Sequence, residues 1–484
     1  VLTDAKIDEI GHAAVDLSLL SGVTYADCRV VHVTEEDVRV RDGAAEALSR
    51  SESLGMGLRV LVNGAWGFAS TAEVTLEAAA TLRERAIEIA RASGRLAGER
   101  VELAPVEPAR GTYRTKIEKD PFDIPLKEKL QYITHLDSLL REVPDLNRTS
   151  AGMSFRREIR HFYSSEGSRI HQEIFQSGAG ITAGLGRGHG ESAERSFPTS
   201  GGQYEAVGYE LIEKLKLEDA IEQLTEEAKA LLTAQPCPAK TTTVILSGDM
   251  VSLQVHESIG HPLELDRVYG SERNFSGTSF ATPDQLGKLK YAADIVTVYS
   301  DPTAEGGLGS FGYDDEGVPA ARSPLIEKGV LVGYLTSRET AARIGTTSNG
   351  SMRARSWAYL PLIRMTNTML QPGTKTLEQM IAETDEGIYI QTPSSWSIDD
   401  RRENFQLGGE IGWLIKNGKL TEMVKNPTYS GNTVGFWNSC DAIGTPEEYR
   451  IWGTPSCGKG QPGQTIATGQ GAAPARFANV KIGR

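Results

Sequence analysis

The chain has 484 residues, of which 39% are hydrophobic and 24% charged, and its formal net charge is −13. Such a length predicts two or three domains, and the acidic balance excludes nucleic acid as the main partner, because duplex binding rests on positive charge. No apolar run reaches the roughly 18 residues that a membrane span requires.

Taken in chain order, Thr3 is placed to cap a first helix whose apolar stripe is Ile7, Ile10, Ala14 and Leu17. No signal peptide is recognisable ahead of it. The four cysteines, Cys28, Cys237, Cys440 and Cys457, form no C-x-x-C pair. Free thiols and a cytoplasmic location are therefore expected. Residues 25–33 alternate as a half-buried strand does, with Cys28 on the apolar side as an inert core thiol. Residues 58–69 read as a hairpin turning at Asn63-Gly64, and a helix follows from Thr75 to Ser93 with Gly94 as its stop.

Prolines and weak periodicity make 97–123 a linker. A helix from Pro125 to Glu142 opens a central unit. A hairpin over 153–176 turns at Ser165–Ser168, where His161 and His171 face each other as exposed polar surface. The glycine-rich stretch 184–190 lacks the spacing of a dinucleotide fold and reads as a turn. A helix from Tyr209 to Ala234 closes this unit, and Pro236-Cys237-Pro238 marks a boundary. The expected division is thus an N-terminal α/β unit at 1–96, a linker at 97–123, a central α/β unit at 124–236 and a C-terminal unit at 239–484. The fold class is α+β, with mixed and antiparallel sheets and helices.

The C-terminal unit begins with a strand at Thr241–Leu246 and a helix that carries His256-Glu257-Ser258-Ile259-Gly260-His261. The pattern is H-E-x-x-x-H. Imidazole is a common zinc ligand, and a catalytic zinc site needs three protein ligands and one open position. Glu257 is placed to act as the base that activates a water there. Histidines five apart point about 140° away from each other on a regular helix of 3.6 residues per turn. Sharing one metal therefore requires the helix to end or to widen. Gly260 and Pro262 favour an end, and a π-bulge brings i and i+5 together.

Beyond the motif, Asp314-Asp315-Glu316-Gly317 reads as a solvated turn without calcium-loop spacing. Residues 410–425 form a hairpin turning at Asn417-Gly418, and the chain then reads as turn-rich to its end. Gly453–Gly460 nearly spells a phosphate loop, but Gly460 stands where the magnesium-binding hydroxyl belongs and no helix start follows. For a third metal ligand the residues leave four candidates open: Cys457, Cys440, Glu264 and Asp266.

The H-E-x-x-x-H segment, Leu263–Asp266, Asp314–Gly317, Arg364–Thr368 and Cys457-Gly458-Lys459 occur in the order seen in the TldD/PmbA family. The chain resembles the metal-bearing type of that family over nearly its whole length. The resemblance implies a two-part architecture with the metallopeptidase site in 239–484. It also implies Zn2+ held by His256, His261 and Cys457, with Glu257 as catalytic base. It implies a peptidase acting on extended, unfolded or leader peptides with a TldE/PmbA-like second subunit. Residues 394–412 depart from the glycine-rich pattern of bacterial relatives. That keeps open a hydrolase acting on an amide in a small-molecule conjugate of a natural-product pathway. A non-enzymatic protein-binding regulator is the third alternative, disfavoured by the complete ligand set.

Overall fold

The structure is a computed structural model and describes residues 3–20, 22–96, 99–188 and 191–483. Its N-terminal half is built on one eight-stranded sheet. Strands β1 (Val23–Arg41), β2 (Ala44–Val62), β3 (Ala65–Thr71), β4 (Arg110–Arg114), β5 (Arg148–Ser164) and β6 (Arg169–Gly188) run in the order β3-β2-β1-β5-β6-β4. Strands β7 (Glu191–Phe197) and β8 (Gln203–Glu205) also pair with β6. Helices α1 (Asp4–Val15), α2 (Leu76–Gly94) and α3 (Leu126–Glu142) cover it. Thr3 caps α1 by accepting from the Lys6 amide, and Thr75 caps α2 by accepting from Ala78, which satisfies amides a helix start leaves free.

The Asn63-Gly64 turn is present with both residues at positive φ, as a tight two-residue hairpin demands. Cys28 lies in the core among α1, α2 and β2, and burial pushes its thiol up to about 12.

Several expectations are corrected here. Leu17 leaves the apolar stripe: α1 ends at Val15, and Leu17 starts a short 3-10 turn, 39% exposed. The stretch expected as a linker contains β4, which pairs in parallel with β6, so the sheet runs across it without a break. The helix expected over 209–234 is two, α4 (Glu210–Leu215) and α5 (Ile221–Thr233), broken at Lys216 in the left-handed region, φ 47°. Residues 184–188 of the glycine-rich stretch continue β6; Gly190 and His189 lie outside the described residues. His161 and His171 do pair across β5 and β6, ring centroids 4.3 Å apart, but they are not exposed surface: His161 is buried.

The C-terminal half holds two further large sheets and, among the described residues, one two-stranded pair, Met352–Arg353 with Leu362–Ile363. In the larger, Lys240–Leu246 lies between Glu386–Ile398 and Ala475–Ile482, and the sheet continues through Thr428–Asn432, Asn404–Lys416 and Lys419–Lys425. In the other, Arg450–Lys459 is the edge strand, paired with Gln464–Ala472. The end of the chain is therefore mostly strand, and the expectation of a turn-rich end is overturned. Glycines and prolines there sit inside ladders, with an irregularity between Thr454 and Cys457, where bulges tolerate them. The main core lies between these sheets and packs around α6 (Gly248–Val255), including Met250, Val251, Val255, Tyr291 and Trp437.

The segment Asp314–Glu316 is also not a solvated turn. All three acids are at most 2% exposed. Asp315 pairs with Arg29 at 3.3 Å and with Arg160, and Glu316 pairs with Arg59 at 3.2 Å. Asp314 accepts from the Glu316 and Val318 amides, both at 2.9 Å. Asp315 and Glu316 thus bind the C-terminal half to the arginines of the N-terminal sheet, while Asp314 holds the turn that carries them.

Candidate metal centre

Strand Lys240–Leu246 delivers the chain into α6, whose first turn is fixed by Asp249, which accepts from the Met250 amide and the Thr199 hydroxyl, each at 2.9 Å. At His256 the helix widens to a π turn over His256–Gly260, closed by the His261 amide donating to the His256 carbonyl. That i to i+5 bond brings the two histidines to one side, their ring centroids 4.9 Å apart. The wide turn is braced from outside. Tyr291 donates its hydroxyl to the Ser258 carbonyl at 2.5 Å, and Trp437 Nε1 donates to Ser258 Oγ at 2.8 Å. Gly260 is required by close approach, since a Cβ there would collide with Met365 Sδ. A 3-10 turn over His261–Leu263, with Pro262 inside it, then ends the helix.

Cys457 arrives on the edge strand Arg450–Lys459, not on a turn as its glycines and proline suggested. Its Sγ lies 3.4 Å from His256 Nε2 and 3.5 Å from His261 Nε2, and the three side chains are buried. Their ligand atoms all fall within 4.8 Å of one another, the one such group among the described residues. A tetrahedral zinc with ordinary Zn–S and Zn–N lengths sets sulfur and nitrogen about 3.6 Å apart, so the donor set fits that ion in kind and in spacing. Burial alone would raise the Cys457 thiol, but His261, His256 and Arg364 beside it pull it well below the usual range. Burial disfavours the His256 imidazolium, and the Cys457 sulfur more than offsets this, taking it up to about 9. Burial wins at His261 and holds it neutral.

The other candidates are placed elsewhere. Cys440 is buried in a strand of the larger sheet, its Sγ against the Ala442 carbonyl, and burial pushes its thiol up. Glu264 does not join the donor atoms; its Oε2 meets His261 Nδ1 at 2.9 Å, the outer contact that fixes a ligand's tautomer and ring plane. Asp266 takes Lys459 Nζ at 2.7 Å. This also disposes of the phosphate-loop resemblance, because Lys459 is fully buried against acids and the Ile363 carbonyl.

Glu257 lies on the same π turn, 7% exposed. Its Oε2 accepts from Arg402 Nη1 at 2.5 Å. Sequence reasoning missed Arg402, which sits at the tip of the hairpin formed by Glu386–Ile398 and Asn404–Lys416. The tip is pinned by the Thr278 and Phe280 amides donating to the Asp400 and Arg401 carbonyls at 2.7 and 3.1 Å. Arg364, also missed as a contact, donates to the Cys457 carbonyl and so holds the ligand strand. A cavity of about 330 Å³ lies between this strand and the N-terminal sheet, with Ser456 and Ile466, the neighbour and cross-strand partner of Cys457, in its wall.

Two imidazoles and a sulfur meet at one buried point, with the Glu257 carboxylate on the same π turn, and the three donors fit a metal ion that keeps one open position. Residues 239–484 match the model of the PmbA/TldA metallopeptidase C-terminal domain, and residues 26–90 that of PmbA/TldA metallopeptidase domain 1. A metalloprotease of Synechocystis sp. is 31% identical over 96% of this chain and 95% of its own. A zinc metalloprotease TldD homolog of Saccharolobus solfataricus is 25% identical over 96% of this chain and 97% of its own. The fold is shared with TldE from Thermococcus kodakarensis, TM-score 0.73 at 17% identity, covering 99% of this chain and 100% of that one. The chain belongs to the PmbA/TldD family of metallopeptidases.

Proposed function

We propose that the protein is a zinc-dependent peptidase that hydrolyses amide bonds of extended, unfolded or leader peptides and works with a TldE/PmbA-like second subunit. The observation that carries this is the convergence of His256 and His261, which flank Glu257 on a braced π turn, with Cys457 from the edge strand. Thiolate with two imidazoles suits zinc better than the harder divalent ions. Zinc, when bound, lowers the pKa of a water to about 7 and polarises a carbonyl. Glu257 takes the proton of the attacking water and later delivers it to the leaving amine. Arg402 holds that carboxylate in place. Glu264 orients His261, and Arg364 positions the Cys457 strand. The edge position of Arg450–Lys459 supports an extended substrate, which would gain main-chain hydrogen bonds along the edge beyond Ile451 and Gly453, where Gln203 already bonds.

The test is elemental analysis and peptide cleavage, with and without a coexpressed metal-free paralogue. One zinc per chain is expected, with full activity only in the pair. Glu257→Gln keeps the zinc and loses about 10²- to 10⁴-fold in rate. Loss of zinc in that variant would make Glu257 a ligand and overturn its role.

A further inference from the structure

The cavity walled by Ser456 and Ile466 holds a guanidinium that, among the described residues, no carboxylate contacts directly. Arg353 lines it, at the end of the short strand Met352–Arg353. Its guanidinium donates to the Met365 carbonyl at 2.9 Å and stands 5.5 Å from the centroid of Phe311. Among the described residues no carboxylate forms an ion pair with it. The acids that share the wall are already engaged: Glu35 and Glu158 by Arg156, Asp37 by Arg39 and Glu36 by Lys129. Asp315 is held by Arg29 and Arg160. Burial, then repulsion from Arg364 and Arg160, pulls Arg353 down to about 9. Arg355, an exposed residue, lines the same cavity with its guanidinium on the Thr465 hydroxyl and, among the described residues, on no acid.

A half-buried guanidinium without an ion-paired counter-charge costs free energy that an arriving anion relieves. Its planar fork matches a carboxylate bidentately. The cavity is small, and its wall includes Ser456 and Ile466 beside the candidate metal centre. We propose that Arg353, assisted by Arg355, forms a carboxylate-binding subsite, so that the protein selects peptides presenting a carboxylate close to the bond that is cut. The carboxylate is either the C-terminus of the peptide or an aspartate or glutamate side chain. The inference rests on the peptidase function proposed above and names its substrate class.

The experiment reads binding without turnover. Glu257→Gln protein is titrated into fluorescein-labelled peptides, followed by anisotropy, with and without chelator. One peptide is alanine-rich with a free C-terminus and the second is its C-terminal amide. The third and fourth are amidated and carry one aspartate or, in its place, asparagine. A carboxylate-bearing peptide is expected to bind about 10- to 100-fold more tightly than its neutral twin. Loss on amidation identifies the terminus, and loss on the asparagine exchange identifies the side chain. Adding Arg353→Met brings that ratio close to one. Arg353→Lys, which keeps the charge and loses the fork, restores part of it and decides the matter if the methionine variant does not fold. Equal affinity for all four peptides, or a ratio untouched by both substitutions, overturns the proposal. Absence of zinc or cleavage in the unsubstituted chain is a separate result that overturns the peptidase function and leaves the binding ratio readable.

Discussion

Cys457 and Cys440 put the same side chain to opposite use. Both are buried, but Cys457 faces two imidazoles and Arg364, which draw its thiol down, whereas burial pushes Cys440 up. A thiolate is the form that binds metal. Cys457→Ser should therefore abolish zinc binding and hydrolysis together, while Cys440→Ser keeps both; elemental analysis beside a cleavage assay checks it, and the reverse pattern would move the third ligand to Cys440. At this scale the sequence was informative where chemistry is local. H-E-x-x-x-H is contiguous, and its awkward spacing already called for an end or a π turn. Arg402 was illegible because it reaches Glu257 from 145 positions away, at the tip of a hairpin whose register no local pattern specifies. Glu264 was visible as an acid, but whether it would touch the metal or the back of His261 depends on a turn geometry that spacing does not fix.

Among the elements, the β5–β6 hairpin shows how a correct pairing can still mislead about environment. The turn signal placed His161 opposite His171, but α1 covers that end of the hairpin and takes it out of water, its Asp8 accepting from the Tyr163 hydroxyl at 2.6 Å. Burial, then the facing His171, lowers His161 to about 4, against the opposing pull of Asp4 and Asp8 and alongside Arg169. Unfolded histidine titrates near about 6.5, so the unfolded chain binds the extra proton between those values. The contribution is fully present above pH ~6.5 and is lost as the pH falls through that window toward about 4, on the order of 3 kcal/mol at most. Melting temperature measured from pH 7.5 down to 4.5 should fall less steeply in His161→Phe than in the parent; parallel curves would exclude His161 as the cause. The strand carrying Cys457 was misread for a related reason. Pro455, Gly458 and Gly460 are turn residues in isolation, yet the pairing with Gln464–Ala472 holds them in a ladder, and tertiary pairing overrides local preference.

For the whole molecule, the decisive contacts are the acids Asp315 and Glu316 set against Arg29, Arg59 and Arg160, with Asp314 fixing the turn that carries them. A short polar run with a glycine has the composition of a solvated turn. Its burial follows only from arginines more than 150 positions earlier, which a reading in windows cannot see. Asp315 also accepts from the Ala354 amide at 2.7 Å. Asp315→Ala strands the buried Arg29 guanidinium and leaves Arg160 with Glu158 alone, and should cost about 3–5 kcal/mol, read as a lowered denaturation midpoint with unchanged slope. A loss below about 1 kcal/mol would mean that solvent reaches the pair as it reaches surface ion pairs. No helix among the described residues is long and apolar enough to cross a membrane, and the molecule's cohesion rests on this polar seam as well as on its cores.

The seam restricts inheritance as well as folding. A gene fused at the boundary near Pro238 would join the C-terminal half to a foreign N-terminal sheet, and that half brings two carboxylates, Asp315 and Glu316, that face across the seam. Unless the incoming sheet supplies cations at the positions of Arg29, Arg59 and Arg160, each of those acids is buried unanswered. The two halves are therefore expected to travel through recombination as one unit, although each has a core of its own.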